Sequence, residues 1–211
     1  MFPFILNKEE AEEITKPFWY EIYSAMKEGF ETYTKVRKEY LNHSYFHNRL
    51  RAEIIRTKTL NIFIEKYDKQ KFSNDVRIVH DIQSDLVFIV IKEQLALRIK
   101  KLDRGLRANF NKTKLSKKFI DQQLSFESLV PSIHKLLLGW RHDETWTKFL
   151  GVYIKPPQNA AWAILLDEER INNIFTQTPN NIKEFSINQT LPEEPIVKPK
   201  IETVKVSNGI S

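Results

Sequence analysis

The densest cluster of residues able to do chemistry in this sequence is a basic segment at residues 92–118. It holds ten Lys or Arg side chains against two acidic ones, Glu93 and Asp103, so its local charge is +8 in a chain whose net charge is +6. A cluster of this density attracts phosphates or acidic surfaces through its summed field. The ten basic residues are Lys92, Arg98, Lys100, Lys101, Arg104, Arg107, Lys112, Lys114, Lys117 and Lys118.

Nucleic-acid binding is the first function that this segment predicts. Cations neutralise phosphates, and amide or aromatic side chains such as Asn109, Phe110 and Asn111 can engage bases. Arg49 and Arg51 would join the surface if their helix packed across the sheet. No helix-turn-helix, zinc finger or RNP pattern is present, so sequence-specific readout is not expected. The predicted binding residues are Arg98, Lys100, Lys101, Arg104, Arg107, Lys112, Lys114, Lys117 and Lys118.

Two other interpretations of the same segment stay open. The basic face could dock an acidic protein partner, which would make the chain an interaction or regulatory module. It could also be a solvated lysine-rich face without a ligand. The sequence favours a binding protein that catalyses no reaction, and it does not indicate an oligomeric state.

A metal-dependent nuclease is the most specific enzymatic alternative. Such enzymes often place an acid on one hairpin strand and an acid-x-Lys pair on the next, so that two carboxylates hold the metal. Asp85 and Lys100 occupy two of these positions. The position two before Lys100 is Arg98, which cannot ligate a cation. We therefore predict no metal site here.

Histidines provide the candidates for a metal-free phosphodiester hydrolase, because imidazole is the most common acid or base near neutral pH. We select His47, Arg51 and His80 as weak catalytic candidates. No His-Glu-x-x-His pattern occurs, and each histidine could equally be a surface or capping group. The five histidines are His43, His47, His80, His134 and His142.

Composition excludes several classes of protein. The five glycines are too far apart for a Walker loop or a dinucleotide fingerprint, so ATP, GTP and NAD are not expected, and no cofactor is predicted. No Gly-x-Ser-x-Gly elbow is present. Without cysteine there is no disulfide or thiol nucleophile, and the short apolar run at 1–6 lacks the charges of a signal peptide. We expect a cytoplasmic protein without a membrane partner.

Helices should open the chain. Asn7 can cap a short helix with Glu10 as its capping-box partner. An aromatic stripe at three- and four-residue steps then predicts a core-facing helix over about 17–40. A third helical segment should follow Ser44, and its end at 60–67 is ambiguous between helix and strand.

Strands should follow the helices. Branched apolar runs at 85–91 and 95–99, separated by three residues, predict a hairpin in which Arg98 and Lys100 share one face. Further strands are predicted at 134–141, 145–155 and 161–166, as successive hairpins of an antiparallel meander. A loop at 103–111, a helix at 114–124 and a closing helix at 168–175 complete the predicted elements.

The predicted fold class is α+β. N-terminal helices should pack on a mostly antiparallel β-sheet of hairpins within a single domain at 1–175. From 176 to 211 the chain is rich in Pro, Asn and Glu and poor in large apolar groups, which predicts a flexible tail.

The central block resembles a family of small bacterial and prophage proteins of unknown activity. The resemblance is carried by 86–109, with its Phe-Ile-Val strand at 88–90 and Leu-Arg-Ile-Lys-Lys-Leu-Asp at 97–103, and by the later Gly139-Trp140 and Gly151-Val152-Tyr153 hairpins and Trp162. It covers about half of the chain. The resemblance implies a bacterial or mobile-element setting, such as phage defence, counter-defence or regulation, and implies no activity.

Overall fold

The computed structural model describes residues 6–39, 48–69, 75–81, 86–110, 113–122, 133–158 and 162–177. The chain divides into two units, Met1–Gln177 and Thr178–Ser211, and every described residue belongs to the first. The tail predicted at 176–211 lies outside the described residues except at 176 and 177, which are the last two residues of a helix.

Helices packed with a six-stranded sheet form an α+β fold, as predicted. The helices are α1 (Lys8–Thr15), α2 (Trp19–Glu39, after a 3-10 turn at Lys16–Phe18), α3 (Asn48–Lys69), α4 (Lys114–Ile120) and α5 (Glu168–Gln177). The strands are β1 (Val76–Asp81), β2 (Leu86–Ile91), β3 (Leu95–Lys101), β4 (His134–His142), β5 (Phe149–Lys155) and β6 (Ile164–Leu166). The ambiguous segment at 60–67 is helical, and β1 was not predicted.

The sheet has the strand order β1-β2-β3-β4-β5-β6. Most neighbours are antiparallel, but β3 and β4 are parallel, with Leu95 opposite His134 and Lys101 opposite Trp140. The predicted meander of successive hairpins is therefore wrong at this point. The chain between β3 and β4 includes α4, and a crossover of this kind is what a parallel pair requires.

Strand β3 loses its β2 neighbour partway along. Residues 95–97 pair with 89–91. The other residues of β2, 86–88, pair only with β1. The remaining residues of β3, 98–101, pair only with β4. Within the described chain, the β2 side of 98–101 consequently has no neighbouring strand.

The two faces of the sheet carry separate cores. On one face, buried residues of α2 such as Ile22, Met26 and Phe30 pack with Leu97 and Trp140. The predicted aromatic stripe is thus core in its described members. On the other face, Phe119 of α4 packs with apolar strand residues, and its ring lies 5.9 Å from that of Phe88.

Helices α2 and α3 approach closely at Gly29. A Cβ added there would lie 2.5 Å from Thr59 Oγ1 and 2.9 Å from the Ile55 carbonyl oxygen. Only glycine leaves room for this approach. The contact fixes α3, whose N-terminal half lines the site described next.

Candidate anion-binding cleft

An open cleft of about 1130 Å³ lies between the first turns of α3, the end of β3 with its following loop, and the end of β4 with its following turn. We call it the β3 cleft. Eight Lys or Arg and four Asp or Glu side chains line it, which leaves an excess of four positive charges. The basic residues are Arg49, Arg56, Arg98, Lys100, Lys101, Arg104, Arg107 and Arg141.

Arg98 and Lys100 lie on the same side of β3, as alternation along a strand requires. Aromatic rings, rather than carboxylates, surround them. The Arg98 guanidinium carbon is 5.2 Å from the Phe119 ring centroid and 5.7 Å from that of Phe110. Lys100 Nζ is 5.3 Å from the Phe110 centroid and 3.5 Å from the Asn109 carbonyl oxygen. Both side chains are half-buried, so the pair is not a fully solvated face.

Burial leaves both charges poorly compensated. It lowers the pKa of Arg98 to about 10, with a smaller contribution from the nearby charge of Arg56. Burial also lowers the pKa of Lys100 to about 8, reinforced by Arg98 and Arg56. One guanidinium nitrogen of Arg98, Nη1, is buried without a hydrogen-bond partner. A buried cation without a counterion is costly, and a bound anion would remove part of that cost.

Each acidic side chain lining the cleft already has a partner of its own. No described acidic side chain forms an ion pair with Arg98, Lys100 or Lys101, although the charge of Glu53 opposes the lowering of the Lys100 pKa. The pairings are Glu53 with Arg56 at 2.5 Å, Asp103 with Arg107 at 3.0 Å, Glu144 with Arg104, and Asp143 with the turn that follows it.

Asp143 builds the turn that forms one wall of the cleft. Its carboxylate accepts hydrogen bonds from the backbone N–H groups of Thr147 at 2.7 Å and Lys148 at 2.9 Å, and from the Thr145 and Thr147 hydroxyls. These bonds hold the pKa of Asp143 far below its usual value. The strand predicted at 145–155 begins only at Phe149, because 143–148 forms this turn.

The same turn holds Trp146 in the left-handed region, at φ 59°. A bulky residue rarely adopts this conformation, and such strain is concentrated at functional sites. Lys101 Nζ lies 4.3 Å and the Arg51 guanidinium carbon 5.3 Å from the buried Trp146 ring. Two cations therefore contact the Trp146 ring beside the cleft.

His142 is a cleft residue that we did not select from the sequence. Its ring stacks on Trp146 with a centroid distance of 3.7 Å, and it lines the cleft. Burial is the largest cause of its lowered pKa, and Lys101 and Arg51 contribute. Imidazole is therefore neutral near pH 7. No sequence motif around His142, which ends β4 directly before the Asp143 turn, indicated that it would lie in a cleft.

Leu102 anchors the loop after β3. Its side chain packs over Gly139, where an added Cβ would lie 2.3 Å from Leu102 Cδ1. Its N–H donates to the Trp140 carbonyl at 2.9 Å, and it forms an isolated bridge with Ala108. Gly139 lies opposite Lys100 in the sheet, so this contact positions the loop beside the two half-buried cations.

The structure separates the predicted binding residues into two groups. Arg98, Lys100, Lys101, Arg104 and Arg107 line the β3 cleft. Lys114, Lys117 and Lys118 lie on α4 outside its lining. Lys112 falls outside the described residues. Of the two α3 arginines that we expected to join the surface if the helix packed across the sheet, Arg49 lines the cleft and Arg51 does not; Arg56 and Arg141, which the sequence did not single out, also line it.

The weak catalytic candidates do not come together in the described structure. Arg51 contacts Trp146 but is not among the cleft-lining residues, and His80 is an exposed residue of β1. His47 and Asp85 lie outside the described residues. No group of three or more His, Asp or Glu side chains in the described ranges is placed to hold a metal ion.

Comparisons with known proteins give this chain no relative: no protein-family model, curated protein or solved structure matches it. Among the described helices, none has both the length and the apolar content that a membrane span requires. The geometry of the cleft is accordingly the basis for the functional argument.

Proposed function

We propose that this protein binds nucleic acid, or a polyanion of similar charge, in the β3 cleft and catalyses no reaction on it. The observation that carries this proposal is the pair of half-buried cations, Arg98 and Lys100, which has no acidic partner among the described residues. Buried charges in folded proteins are generally paired with an opposite charge. Here the compensating charge would come from the ligand.

The chemistry of β3 favours binding over cleavage. Arg98 stands where an acid-x-Lys nuclease strand would need a metal-ligating carboxylate, and it places a positive charge at that position. Cations at both positions suit direct contact with phosphate oxygens, through charge-assisted hydrogen bonds. Arg104 and Arg107, which are more exposed, extend the same positive surface toward solvent.

The resemblance noted above favours a bacterial or mobile-element setting for this binding, such as phage defence, counter-defence or regulation. We propose a cytoplasmic location because the sequence contains no cysteine, which fits a reducing compartment. The backbone-directed chemistry of the cleft predicts little sequence preference, because phosphate contacts position a protein without reading bases.

A salt titration of nucleic-acid binding tests the proposal. If the five predicted cations that line the cleft each neutralise one phosphate charge, log K should fall with log salt with a slope of about −3.5 for single strands and about −4.5 for duplex. Fluorescence anisotropy with labelled DNA and RNA would measure it. Replacing Arg98 by Gln together with Lys100 by Met should reduce the slope by about 1.4 to 1.8.

The matched control removes the same number of charges from α4. Lys117→Ala with Lys118→Ala should leave most of the affinity, because neither residue lines the cleft. If the α4 variant lost affinity and the β3 variant kept it, the cleft would be the wrong site. No binding of DNA or RNA at about 50 mM salt would refute the proposed function, and the acidic protein partner would then be the alternative to pursue.

A further inference from the structure

We infer that Arg98 and Lys100 form a subsite for a terminal phosphomonoester, so that the β3 cleft takes the phosphorylated end of a nucleic-acid strand. This inference rests on the proposed function and narrows its ligand. An internal phosphodiester along a continuous strand would be the less specific occupant.

The cations of the cleft differ in exposure. The side chains of Arg104 and Arg107 are 78% and 68% exposed and carry acidic partners. Arg98 and Lys100 are half-buried and have no acidic partner among the described residues. A strand that lay across the cleft would meet the exposed arginines first. A strand end can reach the half-buried pair, with its next phosphates following the exposed arginines.

The charge of the Arg98 and Lys100 pair matches that of a phosphomonoester. A phosphodiester carries one negative charge, whereas a phosphomonoester carries about −1.5 to −2 near neutral pH. Arg98 and Lys100 lie two residues apart on one side of the strand, close enough for Arg98 to help lower the pKa of Lys100. Two adjacent cations without counterions are matched by a dianion, and a monoanion would leave one of them uncompensated.

Arg98 and Lys100 also supply hydrogen-bond donors for a terminal phosphate. A terminal phosphate presents three oxygens that need donors. Lys100 Nζ donates one hydrogen bond to the Asn109 carbonyl oxygen, at 3.5 Å. Because this bond is long, a phosphate oxygen would readily take the place of the carbonyl. The Arg98 guanidinium has five N–H donors; those on Nη1 are buried, and those on Nε and Nη2 are not. Donors of both side chains therefore remain for a ligand.

The open edge of β3 adds a route for the ligand. On the β2 side, 98–101 has no paired strand in the described chain, because only 89–91 of β2 pair with β3, whereas 86–88 pair with β1 alone. The half-buried pair is thus reached from the cleft and is not covered by the sheet.

Four versions of one labelled oligonucleotide would test the inference: 5′-phosphorylated, 3′-phosphorylated, hydroxyl at both ends, and circular. We expect one of the two phosphorylated forms to bind the full-length protein about tenfold or more tightly than the hydroxyl and circular forms. Inorganic phosphate should compete with that form more effectively than with the circular one. A mononucleotide arm would show whether the phosphate alone is sufficient or the attached strand is required.

Substitutions would show whether Arg98 and Lys100 cause the preference for a terminal phosphate. Arg98→Gln and Lys100→Met should each abolish the preference for a terminal phosphate while leaving weaker, salt-sensitive binding of all four forms. Lys117→Ala with Lys118→Ala should keep the preference. Equal binding of the circular and phosphorylated forms would overturn the terminal-phosphate inference and leave the proposed function standing. Failure of all four forms to bind would refute the proposed function itself.

Discussion

Replacing Lys100 by Met should stabilise the fold while it weakens polyanion binding. In the folded protein, burial and the neighbouring cations lower the pKa of Lys100 from 10.5 to about 8. The folded state therefore disfavours the charged lysine. Met is one atom shorter than Lys, removes the charge and can place its sulfur near the Phe110 ring, a contact that is favourable.

The size of the effect follows from the pKa change. A shift from 10.5 to about 8 corresponds to at most about 3.4 kcal/mol of unfavourable free energy. Lys100 is only half-buried, so solvent screening reduces this to roughly 1–2 kcal/mol. We expect the Lys100→Met variant to exceed the wild type in unfolding free energy by that amount at pH 7.

The pH dependence of the stability difference is a second, independent test of the lowered Lys100 pKa. Because the folded pKa lies below the unfolded one, the unfolded state binds more protons between about pH 8 and pH 10.5, and wild-type stability rises with pH in that window. The advantage of the variant should therefore be full at pH 7 and shrink toward pH 10.5. Urea denaturation of both proteins at several pH values would measure it, with the difference between them isolating Lys100 from the other lysines.

Two results would refute this reasoning. A Lys100→Met variant that is less stable than the wild type at pH 7 would mean that the charge is compensated within the folded protein. A stability difference that does not change between about pH 7 and pH 10.5 would mean that the Lys100 pKa is not lowered. Wild-type affinity for DNA in the stabilised variant would separate Lys100 from binding.

Two further predictions concern the residues that shape the cleft. Gly139→Ala should destabilise the fold by about 1–3 kcal/mol and weaken DNA binding, because the new Cβ would displace Leu102 and its loop; a denaturation midpoint equal to that of the wild type would contradict this packing. Asp143→Asn should lower the thermal midpoint at neutral pH, because the charged acceptor of the turn is lost. The folded pKa of Asp143 lies below its ordinary value of 3.8, so the wild type should lose this contribution as pH falls below about 3.8. Midpoints that converge in acid would support the assignment, and a constant difference would argue against it.

Local patterns were sufficient to predict much of the fold. The stripe of α2 has helical spacing, and the branched runs of β2 and β3 have strand character, so both could be inferred without tertiary information. Alternation along β3 likewise placed Arg98 and Lys100 on one side. The parallel pairing of β3 with β4 could not be inferred, because it depends on where the crossover through α4 returns the chain.

The environment of the cleft cations also depends on long-range contacts. Phe110 and Phe119 come from the loop after β3 and from α4, and only the tertiary fold turns a basic strand face into a half-buried pair. Arg56 and Arg141 reach the same cleft from α3 and β4. We assigned the α4 lysines and Arg98 to one surface because they are close in sequence, but in the fold only Arg98 lines the cleft.

Mapping the bound ligand by NMR tests most directly whether the β3 cleft is the binding site. In an isotope-labelled sample titrated with a phosphorylated oligonucleotide, the Trp146 indole and the Lys100 and Lys101 amide signals should shift. The Lys117 and Lys118 amides on α4 should move little. Shifts concentrated on α4, with the Trp146 and Lys100 signals unchanged at saturation, would contradict the assignment of the β3 cleft as the binding site.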